Sequence, residues 1–127
     1  MIIVLIHWRI KPTDQAVSGF FEWWKNEAPI KDKINLAGEF LSAPIPARQF
    51  PFRVDDLTFG HGLLDCRHFV NVGIWKDWDS FYEQVGKHMN DDKPLLSFEA
   101  DRRTRTILEP QQWRIGQFGL PESGTCE

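Results

Sequence analysis

The sequence lacks an excess of positive charge and holds few cysteines, and each shortage excludes a class of proteins. It has 15 Lys and Arg against 18 Asp and Glu, for a net charge of −3. Proteins that bind nucleic acid or anionic membranes present clustered Lys and Arg, so we expect neither partner. Only Cys66 and Cys126 are present, too few for a disulfide framework. We therefore expect a cytoplasmic protein.

Long hydrophobic runs are also missing from the sequence. The N-terminal segment MIIVLIHWRIK has only a short apolar run, and His7, Arg9 and Lys11 follow it closely, unlike a signal peptide. No run approaches the roughly 18 apolar residues that a membrane-spanning helix needs. We interpret the N-terminal segment as a buried strand and expect no association with a membrane.

Several sequence motifs that bind cofactors or carry out catalysis are absent as well. The chain has no Gly-rich phosphate loop, no nucleophile elbow and no His-Glu-x-x-His pattern. Cys66 and His68 are close in the chain, with His61 upstream, but they lack the paired spacing of a structural zinc site. We therefore expect no metal and no cofactor.

The chain does contain enough residues for one domain and many aromatic side chains. Its 127 residues fall within the common size of a single domain. Its 6 Trp and 10 Phe imply either aromatic-rich packing or an aromatic-lined cavity. We assign residues 1–110 to the domain and residues 111–127 to a C-terminal extension and tail.

Hydrophobic periodicity predicts four strands and two helices. The strands are expected over residues 2–10, 35–43, 67–75 and about 102–109. One helix is expected from Thr13 and Asp14 onward, and Asp77 is expected to cap a second. The order βαββαβ predicts an α+β, ferredoxin-like fold, with a four-stranded antiparallel sheet and both helices on one face. The other face must then be buried, and a second copy of the chain is the simplest partner.

The strand over residues 67–75 (RHFVNVGIW) has the clearest alternation in the chain. Successive side chains of a strand point to opposite faces, so Asn71 and Trp75 share one face. Because polar residues are uncommon in a central strand, Asn71 is either an amide that binds a substrate carbonyl or a buried residue satisfied by neighbouring backbone. Trp75 either packs in the core or dimer interface or lines a cavity.

An unusually long connection of some 23 residues, from Pro44 to Cys66, joins the second and third strands. A few residues are usual at such a position. Its FPF and GHG segments are too apolar and too rich in turn residues for a solvated linker. We predict a lid, a binding loop or an arm that contacts a partner.

The strand FVNVGIW, the helix WKDWDSFYEQ and the final strand TRTILEP together resemble the antibiotic biosynthesis monooxygenase-like branch of the dimeric α+β barrel superfamily. The resemblance covers roughly residues 1–110 and implies a homodimer whose two sheets pack into a barrel. In members that oxidise polyketides without metal or flavin, a strand Asn and a Trp four residues later line the pocket, and Asn71 and Trp75 match that pair. Tyr82, or Phe81 in its place, matches a helix tyrosine of those enzymes, whereas no residue matches their pocket arginine.

Histidines and one tyrosine complete the set of candidate site residues. His7, on the first strand, is the candidate general base. His88 and Tyr82 lie on the predicted second helix with Phe81, where we expect contact with substrate, and Tyr82 is predicted to point inward. A group of arginines is suited to bind an acidic substrate group, but we interpret their alternating charges as protection of an edge strand from aggregation; they are Arg102, Arg103 and Arg105, with Arg114.

Three functional hypotheses follow from the sequence. The first is a cofactor-independent monooxygenase-like enzyme for a small aromatic or polycyclic ketone or phenol, in which Asn71 and Trp75 shape the site and His7 is the base. The second is a non-catalytic, dimeric protein of the same fold that binds a small apolar molecule. The third is an isomerase or lyase that uses the same pocket for proton transfer. Fold alone does not decide among them, and the first requires a cavity against the face of Asn71.

Overall fold

Strand β1 (Ile2–Ile10) lies at the centre of the sheet, because β3 (Arg67–Trp75) and β4 (Glu99–Leu108) both pair with it. Strand β2 (Leu36–Ser42) pairs with β3. The result is one antiparallel sheet in the order β2-β3-β1-β4. This is a computed structural model, and it describes residues 1–26, 30–45, 50–54 and 65–119.

Two helices complete the α+β fold, α1 (Asp14–Asn26) and α2 (Trp78–Gln84). Both begin where the sequence predicts, because each has a side-chain cap. The hydroxyl of Thr13 accepts a hydrogen bond from the backbone N–H three residues later, at 3.1 Å. The carboxylate of Asp77 accepts from the backbone N–H of Ser80 at 2.8 Å. The predicted four antiparallel strands and two helices are confirmed, and the architecture is compatible with a ferredoxin-like fold.

Both helices pack on the same face of the sheet. Phe20 of α1 is fully buried and its ring centroid lies 4.9 Å from that of Trp8 on β1 and 5.5 Å from that of Phe69 on β3. Phe81 of α2 contacts Trp75 at a centroid distance of 6.0 Å. Trp8 and Phe69 are cross-strand partners, and directly opposed residues share a face. The core therefore lies between this face and the helices.

Helix α2 is shorter than its apolar periodicity predicts. Val85 leaves the helical conformation, and a single 3₁₀ turn, Gly86–His88, follows. A Cβ atom at Gly86 would lie 3.1 Å from the ring of Tyr82 and 3.2 Å from that of Phe81, so glycine allows the turn to pack against the helix. Tyr82 itself is 47% exposed. The prediction that Tyr82 points inward is wrong, because α2 turns the neighbouring Phe81, which is 2% exposed, onto Trp75 of the sheet.

Much of the long connection between β2 and β3 lies outside the described residues, including residues 46–49 and residues 55–64 with the GHG segment. Within it, the rings of Phe50 and Phe52 lie 5.6 Å apart. The end of the predicted tail, residues 120–127, also lies outside the described part. Neither helix of the described chain has the length and apolar character needed to cross a membrane.

Candidate functional site

A cavity of about 650 Å³ lies between the sheet and the helices. Its volume is in the range of small-molecule sites, roughly 300–1,000 Å³. Aromatic side chains from both layers form much of its wall, namely Trp8, Trp23, Trp24, Trp75 and Phe81. The aromatic residues that the composition singles out therefore serve both as core and as cavity wall. The face of Asn71 is open to this cavity, as the first hypothesis requires.

Asn71 is held in one orientation at the cavity wall. Only 4% of the residue is exposed, and its Oδ1 atom accepts a hydrogen bond of 2.8 Å from the indole N–H of Trp24. Because Oδ1 accepts from Trp24, the NH₂ group of Asn71 is the part of the amide that can lower the pKa of the neighbouring Glu39 carboxyl group. Glu39 lies on β2 opposite Gly73 of β3. Gly73 follows Asn71 by two residues, so both face the same side of the sheet.

Glu39 is the titratable side chain that the structure places against Asn71. Burial raises the pKa of its carboxyl group from 4.5 to about 7, and the hydrogen bond from Asn71 and the charge of Lys33 oppose this rise. A carboxyl group with a pKa near neutral pH is suited to accept a proton and to return it. Glu39 is therefore a candidate general base, and the sequence hypotheses missed it.

Gly73 and Trp75 shape the wall next to Glu39. A Cβ atom at Gly73 would lie 3.1 Å from the indole nitrogen of Trp75, a distance that few real contacts reach. Glycine at this position therefore allows the indole ring to lie against the strand. Trp75 is 2% exposed and lines the cavity, so it packs in the core and also limits the space beside Glu39.

Three arginines of β4, Arg102, Arg103 and Arg105, line the cavity, where the sequence favoured protection of an edge strand over binding of an acidic group. The guanidinium carbon of Arg103 lies 4.1 Å from the ring centroid of Trp8, and Arg103 donates to Glu99 at 2.6 Å. Arg105 pairs with Asp91 at 2.8 Å. The interpretation as edge protection is corrected for Arg103 and Arg105, because strand alternation turns both toward the aromatic wall.

The cavity wall includes four of the six candidate site residues, namely Asn71, Trp75, Phe81 and His88. His88 stands on the 3₁₀ turn and is exposed, which places it toward solvent. Tyr82 is not among the residues that line the cavity; its ring stacks on Trp78 at 5.9 Å. Substrate contact through Tyr82 therefore finds no support in this geometry.

The structure does not bring His7 together with Asn71. His7 pairs with Val70, so its side chain lies on the sheet face opposite the cavity. There its Nε2 atom lies 2.8 Å from Nδ1 of His68, and its Nδ1 atom lies 3.2 Å from the guanidinium of Arg9. The general base expected at His7 is therefore on the wrong face, and the carboxylate of Glu39 occupies the corresponding place in the cavity.

The cluster around His7 also includes Cys66, whose sulfur lies 3.4 Å from Nε2 of His68. Burial raises the pKa of the Cys66 thiol, which disfavours the thiolate that binds metals. Within the described ranges, no group of three or more His, Cys, Asp or Glu side chains is arranged to hold a metal ion.

Comparisons with known proteins add no assignment. A scan against models of protein families, a search of curated proteins and a search of solved structures all find no match. The family resemblance of the sequence therefore stays a prediction, and the geometry of the cavity is the basis for a functional proposal.

The raised pKa of Glu39 predicts an unusual pH dependence of stability. The folded state holds a proton on Glu39 up to about pH 7, whereas the unfolded chain releases it near pH 4.5. Stability is therefore lost as pH rises through this window. Glu39→Gln should remove the loss and raise the free energy of unfolding at pH 8 by about 2 kcal/mol, less than the full shift implies because the side chain is only partly buried.

Urea unfolding of wild type and Glu39→Gln at pH 4.5 and pH 8 measures this difference. Glu109→Gln, which changes an exposed carboxyl group, is the matched control and should follow the wild type at both pH values. Parallel pH dependence in wild type and Glu39→Gln would contradict the raised pKa.

Proposed function

We propose that this protein is a cofactor-independent enzyme of the monooxygenase type, which removes a proton from a small aromatic or polycyclic ketone or phenol and lets the resulting anion react with oxygen. One observation carries the proposal: a carboxyl group with a pKa of about 7, Glu39, lines the same aromatic-walled cavity as Asn71, whose amide lowers that pKa. A base of this kind is what such chemistry requires from the protein.

The first step is proton abstraction by Glu39. A methylene group beside an aromatic ketone becomes acidic when its anion is delocalised over the rings. At neutral pH a carboxyl group with a pKa of about 7 is ionised in about half of the molecules, so it combines a useful ionised fraction with the basicity to take the proton. The aromatic walls hold the planar ring system against the carboxylate.

The second step is stabilisation of the anion. Asn71 lines the cavity, and its amide has two N–H donors that can bind the developing oxyanion of a substrate. Its orientation is fixed beforehand by the hydrogen bond from Trp24, so no reorganisation is needed when charge develops. The guanidinium groups of Arg103 and Arg105 contribute positive potential at the same cavity.

The third step uses oxygen without a further reductant. The anion transfers an electron to O₂, the two radicals combine, and a carbon–oxygen bond forms to give a peroxide anion. This anion takes the proton held on Glu39. The terminal hydroxyl of this hydroperoxide then leaves as water together with the second hydrogen of the methylene carbon. This elimination breaks the O–O bond and leaves a new carbonyl group. The balance is R₂CH₂ + O₂ → R₂C=O + H₂O, so the substrate supplies all four electrons.

An isomerase or lyase is the second candidate, and the same observation favours it. Glu39 is a single base that can return its proton to another carbon of the same substrate, which is the whole reaction of a proton-transfer isomerase. Exchange of substrate hydrogen with solvent deuterium under nitrogen is expected in both cases. Oxygen consumption is expected only for the monooxygenase.

Removal of the base is predicted to abolish most of the activity. With anthrone as substrate, Glu39→Gln should lower the rate of oxygen uptake by about 10²- to 10⁴-fold, the usual contribution of a general base. The substitution keeps the size of the side chain and a hydrogen bond to Asn71. An oxygen electrode measures the rate, and deuterium exchange under nitrogen measures the proton-transfer step separately.

Two controls make the activity test specific. Tyr82→Phe changes the residue that the family resemblance favours but that lies outside the cavity, and it should leave the rate unchanged. Glu109→Gln removes an exposed carboxyl group and should also have no effect. An unchanged rate in Glu39→Gln refutes the assignment of the base, and no exchange or uptake in any variant supports the non-catalytic binding protein instead.

We also propose that the protein is a homodimer formed through the sheet face opposite the helices. This face bears a row of cross-strand neighbours, Phe40, Val72 and Leu5, with Phe40 40% exposed. Val72 and Leu5 are partly buried, and apolar side chains that stay partly exposed on a sheet face are suited to burial at an interface. The sheet-to-sheet packing implied by the family resemblance would bury it.

Substitution on this face is predicted to separate the subunits. Sedimentation equilibrium should give twice the chain mass of 14.9 kDa for the wild type and the chain mass for Val72→Asp, because a carboxylate would be buried at the interface without a partner. Ile34→Asp, at a position that is 85% exposed away from the sheet, is the control and should remain dimeric. A monomeric wild type would refute the dimer.

A further inference from the structure

The cavity is lined by an excess of positive charge, although the chain as a whole has a net charge of −3. Six of the lining residues are Lys or Arg, and four are Asp or Glu. The basic residues are Lys31, Lys87, Lys93, Arg102, Arg103 and Arg105. A cleft lined mainly by charge of one sign concentrates the electrostatic potential and attracts ligands of the opposite sign. The wall of this cavity therefore favours an anion.

The carboxylate of Asp91 shows how the arginines of β4 act on negative charge. Arg105 donates a hydrogen bond to it at 2.8 Å. This bond and the charge of Arg105, followed by the charges of Arg102 and Arg103, lower the pKa of the Asp91 carboxyl group. Three guanidinium groups of one strand therefore lie close enough together to stabilise a single carboxylate.

Two of these arginines keep hydrogen-bond donors that a ligand can reach. Arg103 donates through Nη2 to Glu99 at 2.6 Å, and Arg105 donates through Nη1 to Asp91 at 2.8 Å. A guanidinium group has five N–H donors, and the other terminal nitrogens, Nη1 of Arg103 and Nη2 of Arg105, have no acceptor within the described part of the chain. Neither is among the unpaired atoms that the fold closes off, and the two side chains are 25% and 19% exposed.

The spacing of the two arginines suits one carboxylate. Arg103 and Arg105 both line the cavity, and two residues of a strand span about 7 Å. Each oxygen of a carboxylate accepts a charge-assisted hydrogen bond of about 2.8 Å from a guanidinium group. One carboxylate can therefore bridge the two groups, with one oxygen on each.

Aromatic side chains adjoin these donors. The guanidinium carbon of Arg103 lies 4.1 Å from the ring centroid of Trp8 and 6.0 Å from that of Trp23. Stacking on an aromatic face restrains a guanidinium group and so prepares it to bind a planar anion. The same indole rings form the apolar wall of the cavity, which suits an aromatic ligand.

Strand register gives the distance from these donors to the proposed site of reaction. Asn71 on β3 lies opposite Ile6 on β1, and Ile6 lies opposite Arg105 on β4. Two strand spacings amount to about 10 Å. A ligand of two fused rings with a carboxylate at one end can extend over this distance, with its rings against the indole wall.

We propose that Arg103 and Arg105 form a binding site for a carboxylate, so that the ligand of this cavity is an aromatic acid. The inference deepens the proposed function, because it adds an acidic group to the substrate, and it rests on that function only in treating the ligand as a substrate. Binding of the carboxylate does not depend on turnover.

A matched pair of ligands tests the site by titration calorimetry. The probes are 2-naphthoate and 2-naphthamide, which have the same rings and nearly the same shape but differ in charge. The wild type should bind 2-naphthoate about tenfold more tightly, the usual advantage of hydrogen bonds between charged groups. Equal affinity for the two probes, tighter binding of the amide, or no binding of either at millimolar concentration would overturn the proposal.

Substitution of the two arginines assigns the preference to their side chains. Arg105→Gln should reduce it to about threefold, because one charged donor is lost. Arg103→Lys keeps the charge beside Glu99 but removes the second terminal nitrogen, and it should cause a similar loss. Circular dichroism verifies folding, and Arg105→Gln alone carries the test if Arg103→Lys does not fold. An unchanged preference in Arg105→Gln would refute the assignment.

Two further variants separate a specific site from general charge. Arg114→Gln removes an exposed arginine outside the cavity wall and should keep the tenfold preference. Asp91→Asn removes the carboxylate that competes for Arg105, so it should strengthen the preference for 2-naphthoate. Loss of the preference in Arg114→Gln, or a weaker preference in Asp91→Asn, would contradict the proposal.

Failure of this site and failure of the proposed function are distinguishable. Glu39→Gln should retain the preference for 2-naphthoate, because the carboxylate is bound by β4 and not by Glu39. A retained preference without oxygen uptake or deuterium exchange with anthrone would support the carboxylate site and refute the enzyme. Oxygen uptake that depends on Glu39, with equal affinity for the two probes, would do the reverse.

Discussion

The interaction of the Asn71 amide with the carboxyl group of Glu39, which lowers the pKa of that group against the effect of burial, is the one on which the site depends. Burial favours the neutral acid, whereas the Asn71 amide and the charge of Lys33 favour the carboxylate. These opposing effects leave the pKa of Glu39 at about 7, so both protonation states are populated at neutral pH. Stronger burial would keep the acid permanently neutral, and full exposure would return it to an ordinary weak base.

The fold fixes this interaction through elements that are distant in sequence. The pairing of β2 with β3 places Glu39 opposite Gly73, and the absence of a side chain at Gly73 leaves room for the indole of Trp75. Helix α1 contributes Trp24, whose N–H fixes the amide of Asn71. The strand pairing, the space at Gly73 and the contact from Trp24 therefore act together to set the surroundings of the Glu39 carboxyl group. A change of one residue in strand register would remove Glu39 from the cavity.

Local pattern was enough to predict the strands, the helix starts and the shared face of Asn71 and Trp75, because alternation and capping are encoded within a few residues. Glu39 was missed because an acidic residue in a strand suggests a solvent-facing position. Its spacing of two residues from Leu41, which places both side chains on one face, was a usable signal. The two faces of β1 could not be assigned from sequence, so His7 was expected in the cavity. Arg103 was interpreted as edge protection because only the packed helices show which side of β4 is enclosed.

The ionisation of Glu39 can be observed directly. A carbon-13 NMR titration of the side-chain carboxyl groups should show one glutamate, assigned through Glu39→Gln, that titrates near pH 7, and Asn71→Ala should raise its pKa further because a hydrogen bond to the carboxylate is lost. A pKa near 4.5 for Glu39, or no change in that pKa on replacing Asn71, would contradict this account of the site.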